Sequence, residues 1–406
     1  MIKTPQKVEL LAPAGSFEKL EIAIHYGADA VYLAGKEFSL RNFSQNFTLV
    51  ELRHAVKYAH KHNVKVYAAC NIYSKNIEQK SISDYLHSLR DIGIDALIVA
   101  DPGIFMTASK LIPQIPIHLS TQANTTNFNS ALFWQSLGVK RVNIARELAL
   151  KEIREIVLGC DLEIEAFAHG SMCIAYSGRC LLSSFMAKRD SNRGMCTQSC
   201  RWKYAVVEEF RPGQYMPLAE DDRGSYLFSS KDLCMIEHIP ELIETGIVSL
   251  KIEGRMRSIN YLASVVKIYR EAIDAYYENS KGYKAKDCWL YELEAVSNRS
   301  YCTGFYFNDP DQISPTYENI RNHGHTFVGK VIGKSGKHVM KLDVRNKIFN
   351  GDTIQILGKI GPASRNKISA IFDHSGTPLA FAQPGSKVFV EIKKDCSIND
   401  LIRRID

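Results

Sequence analysis

The sequence predicts an α/β protein: a TIM-like (β/α)8 barrel followed by a small antiparallel β-barrel domain. Over the first 280 residues, apolar strand-like runs alternate with helical periods. From about residue 325 the pattern changes to six short strand-like runs separated by Gly-Asp, Ser-Gly and Pro-Gly turns. These runs are 327–333, 338–344, 352–358, 367–373, 379–385 and 387–394. A chain of 406 residues also exceeds what one ordinary hydrophobic core holds, so two domains are expected.

The first domain is predicted from eight repeats of a strand and a helix. The strands are assigned to residues 8–11, 30–33, 64–69, 96–99, 117–120, 141–144, 163–168 and 247–252, and the helices include 17–26, 49–61, 82–92, 131–137, 150–157, 236–245 and 260–277. Glycine recurs just after helical periods, as in YGADAVYL, IGIDALIV, LGVKRVNI and TGIVSLKI, where a left-handed residue ends a helix. An open doubly wound sheet is the alternative, but the eight units and regular glycine stops favour a closed barrel.

The domain boundaries follow from these patterns. Residues 1–280 form the barrel, which we interpret as the catalytic domain, residues 281–325 a linker, and residues 326–406 a basic β-barrel domain. The repeat is interrupted longest by a cysteine-rich insertion at 169–226, directly after the seventh strand. Because strand carboxyl ends form the active face of such barrels, we expect this insertion to lie over the barrel mouth.

Polar residues end the predicted strands, at the face where substrates bind in this fold. The candidate substrate-binding residues are Gln122, Arg146, Arg179 and Arg255, the arginines because a guanidinium binds a carboxylate through two hydrogen bonds. Lys251 and Glu253 share one strand face in VSLKIEGR, so both should point into the barrel, as catalytic residues or as a buried ion pair. His169 is a candidate catalytic proton donor or a partner of a metal ligand.

Four of the ten cysteines lie within the insertion. Six residues separate Cys173 from Cys180, fifteen separate Cys180 from Cys196, and three separate Cys196 from Cys200. Thiolates on irregular, Gly- and Ser-rich backbone are typical of a metal or iron–sulfur site. Structural zinc favours two tight knuckles, and only one pair here is tight, so a cubane cluster is favoured over zinc. Buried free cysteines are the remaining alternative.

Composition indicates the compartment. The opening segment MIKTPQKVELLAPAG has no apolar signal region, and no apolar run approaches the length of a bilayer span. We therefore expect a cytoplasmic protein without a membrane partner, in which clustered thiols are ligands or catalysts rather than disulfides.

The positive charge is concentrated in the second domain. Residues 321–406 carry fifteen Lys and Arg against seven Asp and Glu, a balance of +8 in a chain of net charge +7. Such a module indicates a polyanion partner, with RNA or DNA first, or else merely a charged surface. The candidate RNA-contacting residues are Lys393, Lys394, Arg403 and Arg404.

Three sequence blocks resemble one known family. The segment EAFAHGSMC followed by SGRCLLS, the opening ELLAPAGSFEKLEIAIHYGADAVYLAG and the later SLKIEGRMRSINYLASVVKIYR are similar to the bacterial collagenase-like "peptidase" family. The second domain, including RNKIFNGDTIQIL, resembles the C-terminal domain of the branch of prephenate-dependent tRNA uridine 5-hydroxylases. Relatives act on a ribosomal RNA cytidine or on ubiquinone precursors, and the family's historical label is peptidase.

The resemblance implies a function and two cofactors. It implies hydroxylation of C5 of the wobble uridine, in the anticodon loop of tRNA, with prephenate as co-substrate. It also implies a [4Fe–4S] cluster on Cys173, Cys180, Cys196 and Cys200. Cys234, in SSKDLC, is expected to open a helix as a core residue, and it is the first alternative for the fourth ligand. An electron donor would be a further partner, which the sequence does not identify. No HExxH or GxSxG motif supports proteolysis.

Overall fold

The computed structural model describes residues 7–39, 46–172, 178–199, 220–221, 224–225, 231–309, 324–336 and 338–405, and both predicted barrels are present. The strands of the first part are β1 Glu9–Pro13, β2 Ala30–Leu33, β3 Lys65–Cys70, β4 Ala96–Val99, β5 Ile117–Leu119, β6 Arg141–Asn143, β7 Glu163–Ser171, β8 Glu220–Asp221, β9 Gly224–Ser225, β10 Asp232–Cys234, β11 Ser249–Ile252 and β12 Tyr301–Cys302. The helices are α1 Phe17–His25, α2 Leu49–Lys61, α3 Gln79–Ile92, α4 Pro102–Leu111, α5 Phe128–Ser136, α6 Leu150–Gly159, α7 Leu182–Ala187, α8 Ile239–Glu244, α9 Ile259–Glu278 and α10 Asp287–Val296.

Eight parallel strands close into the first barrel. They run in the order β11-β1-β2-β3-β4-β5-β6-β7, and β7 pairs back onto β11. Each of the eight predicted strands is one of these, and the prediction of a closed barrel is confirmed. We call the face formed by the carboxyl ends of these strands the mouth.

Local sequence signals explain where the helices begin. Thr48 and Glu51 form a reciprocal capping box that starts α2 at its predicted position. Helix α4 was not among the helices named from the sequence, and it begins with Pro-Gly, a pair that is common in turns. Pro102 instead occupies the first helical turn, where its missing N–H costs nothing, and Asp101 caps that turn.

A short strand lies outside the closed barrel and differs from the prediction. Cys234 was expected to open a helix, but it ends β10, which runs antiparallel to β7. Strand β12 then extends the sheet from β10. The predicted linker also differs, since α10 packs against α9 and the buried Trp289 donates a hydrogen bond to Glu271 over 2.9 Å. Residues 287–302 therefore pack as part of the first barrel.

The barrel interior combines an apolar cluster with buried charges. Leu11, Tyr32, Tyr67 and Ile98 belong to a cluster of inward-facing side chains separate from the main core. Toward the amino ends of the strands, Arg141 lies 2.5 Å from Glu9. Inward residues follow the period of two that the pleat imposes.

The second domain is a six-stranded antiparallel barrel. Its strands are β13 His325–Lys334, β14 Val339–Val344, β15 Ile348–Phe349, β16 Thr353–Leu357, β17 Ser364–Phe372, β18 Pro378–Leu379, β19 Phe381–Ala382, β20 Lys387–Ile392 and β21 Leu401–Ile405. The barrel closes in the order β16-β21-β13-β14-β20-β17, with β17 returning to β16. Five of the six predicted runs supply barrel strands. The sixth strand is β21, whereas the predicted run at 379–385 contributes only short pairs outside the closed ring.

Polar contacts join the two barrels along α1 and α9. The Tyr26 hydroxyl donates to the Leu357 carbonyl over 2.6 Å and accepts from the Leu401 amide. Near the start of α1, Lys330 lies 3.2 Å from Glu21. Arg403, which is fully buried, lies 2.8 Å from Glu292 of α10. These contacts are mostly buried, so the interface is a fixed part of the fold.

None of the helices in the described ranges combines the length and the hydropathy needed to cross a bilayer.

Candidate active site

A network of side chains lines the mouth at the end of β5. The Asn71 amide donates to the Gln122 side-chain oxygen over 3.1 Å, and the Ser120 hydroxyl donates to that same oxygen. Gln122 is partly buried. The network therefore positions an amide, predicted from the sequence as substrate-binding, at the carboxyl end of a barrel strand.

The described part of the insertion, residues 178–199, contacts the mouth beside this network, and we call it the cysteine loop. Gly178 has φ +76°, and a Cβ atom there would lie 2.6 Å from the Gln122 carbonyl oxygen and 2.9 Å from the Tyr73 hydroxyl. Only glycine fits this close approach. Tyr73 donates to the same carbonyl over 2.8 Å. Residue 178 therefore lies at the rim of the mouth, beside the ends of β3 and β5.

A partly buried ion pair holds the later part of the cysteine loop. Arg193 lies 2.6 Å from Glu78, just before α3, and it also donates to the Tyr73 carbonyl. Because a planar guanidinium can bond both groups at once, this contact fixes orientation as well as distance. Nothing in the sequence pattern pairs residues 115 positions apart, so this contact was not predicted.

Two of the four predicted cluster ligands lie in the cysteine loop. The Cys180 carbonyl accepts hydrogen bonds from Ser191 over 2.6 Å and from Asn192 over 3.1 Å, which ties both ends of the loop together. The Cys196 sulfur accepts from the Gln198 backbone N–H over 3.4 Å. Backbone N–H groups aimed at sulfur are typical of metal-bound thiolates and tune iron–sulfur potentials.

The other two predicted ligands, Cys173 and Cys200, lie outside the described residues. Within the described ranges, no three His, Cys, Asp or Glu side chains are grouped as a metal site. The thiols of Cys180 and Cys196, with a backbone N–H directed at Cys196, are the kind of ligand that an iron–sulfur cluster uses. The full ligand set stays a prediction. Cys234, the named substitute, is a neutral thiol here, because burial raises its pKa to about 12.

Lys251 points into the barrel, as predicted, and forms an ion pair. Its ammonium lies 2.8 Å from Glu165 and 4.5 Å from the centre of the Tyr32 ring, and both charged side chains are buried. Of the two alternatives considered from the sequence, the structure favours the buried ion pair, although with Glu165 rather than Glu253. Glu253 is partly exposed and accepts from the Tyr32 hydroxyl over 3.2 Å.

His169 does not reach the mouth, which corrects its assignment as a proton donor there. Its ring is fully buried and lies against Tyr261, Tyr269 and Tyr301, with ring centres 5.9, 5.4 and 5.2 Å away. Burial, assisted by Arg257, lowers the pKa of His169 to about 3. A histidine that is buried against α9 and stays neutral cannot act as a cationic proton donor at physiological pH.

The three predicted carboxylate-binding arginines occupy different environments. Arg146 is partly exposed at the mouth, with its guanidinium 3.9 Å from the centre of the Phe167 ring and a hydrogen bond to the Ser171 carbonyl. Arg179 is exposed on the cysteine loop. Arg255 is only 3% exposed and donates to the buried Asn46, so its place in an open anion site is corrected.

The four predicted RNA-contacting residues also differ in their exposure to solvent. Lys393 and Lys394 are exposed, and Arg404 is partly exposed. Arg403 is 0% exposed and bonds Asn260 and Ser264 of α9 in addition to Glu292. Its assignment as an RNA contact is corrected, because a side chain enclosed between domains cannot meet a phosphate.

The fold and the site together define a two-domain barrel protein with a cysteine-bearing loop at the rim of its mouth. Residues 15–316 match peptidase family U32, and residues 323–403 match the C-terminal domain of the same family. The chain belongs to peptidase family U32, as the sequence resemblance indicated.

Three curated relatives illustrate the kinds of protein to which the chain is similar. It is 41% identical to tRNA hydroxylation protein P1 of Bacillus subtilis (strain 168), over 97% of this chain and 93% of the relative. It is 35% identical to tRNA hydroxylation protein P of Escherichia coli (strain K12), over 97% and 95%. A 23S rRNA 5-hydroxycytidine synthase of Escherichia coli (strain K12) is 31% identical over 88% of this chain and 54% of that protein.

Proposed function

We propose that this protein hydroxylates tRNA at C5 of the wobble uridine, in a reaction that depends on prephenate and an iron–sulfur cluster. The observation that carries the proposal is the cysteine loop held at the barrel mouth, beside the ends of β3 and β5, by Gly178 and Arg193. That arrangement brings cysteines to the face where (β/α)8 enzymes bind substrates. Two relatives that match nearly the whole chain bear names that state tRNA hydroxylation.

The mouth offers suitable contacts for a uracil base. A base must leave its stack to reach a barrel mouth, and unpaired loop nucleotides do so at low cost. The Asn71 side-chain amide donates to the Gln122 side-chain oxygen, and this bond orients the Gln122 NH2 group as a donor. An N–H donor at the mouth matches a carbonyl oxygen of uracil.

The cluster would be held by Cys173, Cys180, Cys196 and Cys200, and it would supply a redox centre beside the base. Neighbouring residues of the cysteine loop orient the two described ligands. Ser191 and Asn192 fix the backbone at Cys180 through its carbonyl, and the Gln198 backbone N–H donates to the Cys196 sulfur. Ser183, which is buried, donates toward the Cys196 sulfur over 3.9 Å.

Prephenate carries two carboxylates, and the arginines accessible for it are Arg146 and Arg179. Replacing either with Lys keeps the charge but removes the bidentate geometry. We expect each variant to raise the prephenate concentration needed for half-maximal product about tenfold, since a charge-assisted hydrogen bond contributes about 1.5–3 kcal/mol.

The deciding experiment is mass spectrometry of tRNA nucleosides from cells lacking this gene. Loss of 5-hydroxyuridine and its derivatives, restored by the intact gene, is the expected result. Intact tRNA with a missing ribosomal 5-hydroxycytidine would transfer the activity to rRNA, as the name of the 31% identical relative suggests. Unchanged RNA together with collagen cleavage by pure protein would instead restore the peptidase label.

The cofactor has its own test. Anaerobically purified protein is expected to hold about four irons and four labile sulfides per chain. Alanine at Cys180 or Cys196 should remove most of this iron, whereas alanine at the buried Cys396 of the second barrel should not. One equivalent of zinc without iron would refute the cluster. Full iron content in Cys200→Ala would move the fourth ligand, with Cys234 tested first.

A further inference from the structure

The second barrel carries a pair of exposed aromatic rings. Phe349 and Phe381 lie directly opposite each other on the short ladder of β15 and β19, with ring centres 6.1 Å apart. The rings are 41% and 42% exposed, although large apolar side chains are normally covered. We call this pair the aromatic platform.

A cation lies over both rings of the aromatic platform. The Lys347 ammonium is 4.8 Å from the centre of the Phe349 ring and 4.3 Å from that of Phe381. Arg404 donates to the Lys347 carbonyl over 2.8 Å, which places a second positively charged residue beside the first. Asp352 is an acidic residue near this pair of cations. Its carboxylate accepts a hydrogen bond from the Phe349 backbone amide and thereby shapes the turn.

Residues near the aromatic platform in sequence contact the mouth side of the first barrel. Arg345, two residues before Lys347, lies 2.7 Å from Glu18 in the first turn of α1. Arg403, next to Arg404, bonds Asn260 in the first turn of α9 over 2.8 Å. Helices that follow barrel strands begin at the carboxyl ends of those strands, so both contacts mark the mouth side.

A cross-strand aromatic pair also stabilises its own ladder. That role needs neither the overlying lysine nor the large exposed area. Exposed rings combined with cations are instead the features that bind single-stranded nucleic acid, since every base has a face that stacks on an aromatic ring. The charge balance of +8 over residues 321–406 attracts the same polyanion.

We propose that Phe349, Phe381 and Lys347 bind an unpaired base of the RNA substrate by stacking, while Arg404 stands beside them for the adjoining phosphate. The proposal rests on the proposed function in taking that RNA to be the substrate tRNA. It assigns the second barrel a defined contact surface in addition to its general charge. A second base of the same RNA would then be presented at the mouth.

The test uses the full chain with both rings removed, Phe349→Ala and Phe381→Ala together. We expect its affinity for an unmodified tRNA transcript to fall about tenfold or more, in line with the loss of one stacked base. The matched variant Phe349→Tyr with Phe381→Tyr should keep wild-type affinity, because tyrosine also stacks. Phe133→Ala, which removes a 56% exposed ring from α5 of the first barrel, should have no effect.

A second probe reports stacking directly. A short single-stranded oligonucleotide containing 2-aminopurine should lose fluorescence on binding to wild type and to the tyrosine variant, and lose much less with the alanine variant. Unchanged tRNA affinity in the alanine variant would overturn the proposal. So would a changed oligomeric state in sedimentation, since the rings would then be covered by a second copy of the chain.

These readouts separate the two proposals. One combined result would be reduced RNA binding by the alanine variant together with unchanged tRNA nucleosides in the deletion strain. That result would support the aromatic platform and refute the hydroxylase assignment. Missing 5-hydroxyuridine in the deletion strain, with normal RNA binding by the alanine variant, would support the hydroxylase and overturn the aromatic platform.

Discussion

Inside the first barrel, the buried pair of Lys251 and Glu165 is held at 2.8 Å, with Arg141 3.6 Å from the same carboxylate. Removing one member of a buried pair typically costs about 3–5 kcal/mol, and here Arg141 would still compensate part of the Glu165 charge, which favours the lower end of that range. We expect Lys251→Met to lower the free energy of unfolding by about 3 kcal/mol in urea titrations. Adding Glu165→Leu to that variant should restore part of the loss.

The same variants distinguish structure from catalysis at Lys251. A Lys251→Met protein with wild-type stability and no 5-hydroxyuridine product would return this residue to the catalytic set proposed from the sequence. Glu253→Gln is the companion variant, since Glu253 is partly exposed near the mouth and its loss should affect activity more than stability.

A buried histidine makes stability depend on pH. His118 is 6% exposed, and burial, together with Arg141 and Lys251, holds its pKa well below the usual range. Below the unfolded pKa of about 6.5, the unfolded chain therefore binds a proton that the folded chain does not, so stability falls as pH falls. The cost approaches about 1.4 kcal/mol for each pH unit below that value.

In His118→Gln the unfolded chain should bind one proton fewer in this pH range. The slope of unfolding free energy against pH, measured between about 6.5 and 4.5, should therefore decrease. The slope of wild type also contains His169, so it should decrease rather than vanish. Leu119→Ala, a cavity variant at the next position, should lower stability equally at every pH. A slope that Leu119→Ala changes as much as His118→Gln would contradict the linkage.

At the scale of single residues, the sequence was sufficient where the strand period holds. Lys251 points inward because parity alone places it there. His169 was misplaced because the pairing of β7 with β11 shifts register between Lys251 and Ile252. Such an irregularity turns the next side chain to the other face, and no local pattern marks it.

At the scale of elements, the fastening of the cysteine loop can be tested. Arg193 and Glu78 are both partly buried, and such a pair contributes about 1 kcal/mol. We expect Glu78→Gln to speed the loss of iron to a chelator about fivefold, because the cysteine loop opens more often. Lys188→Gln, an exposed change in the same loop, is the control and should not alter the rate.

Equal iron release from Glu78→Gln and wild type would show that Gly178 and Tyr73 hold the cysteine loop without the ion pair.

The elements that the sequence predicted best were apolar strands and amphipathic helices. Those it missed have atypical sequences: α4 begins with Pro-Gly, and β21 contains the two adjacent arginines of LIRRI. Their structure depends on groups outside the element itself, namely Asp101 as a cap and the open edge between β13 and β16.

At the scale of the whole molecule, the interface between the barrels changes how the second domain should be tested. Deleting residues 326–406 would remove the basic domain and is the simplest test of its role in tRNA binding. The deletion would also leave Tyr26 and Glu292 without the groups they bond, and buried polar groups without partners destabilise a fold. Point changes on the exposed face therefore give a cleaner answer than deletion.

The final prediction separates charge that faces solvent from charge that joins the domains. Lys393→Gln with Lys394→Gln should weaken tRNA binding for all sequences and reduce the slope of log affinity against log salt by about 0.9 for each phosphate that is no longer neutralised. Its unfolding free energy should match wild type, since both lysines are exposed. Arg403→Gln should do the reverse: it removes a fully buried guanidinium from Glu292, Asn260 and Ser264, which should lower stability by about 3 kcal/mol. The tRNA affinity of its folded fraction should stay at the wild-type value. Should Arg403→Gln instead lower affinity at full stability, the interface would have to open when RNA binds, and the fixed arrangement of the two barrels would be refuted.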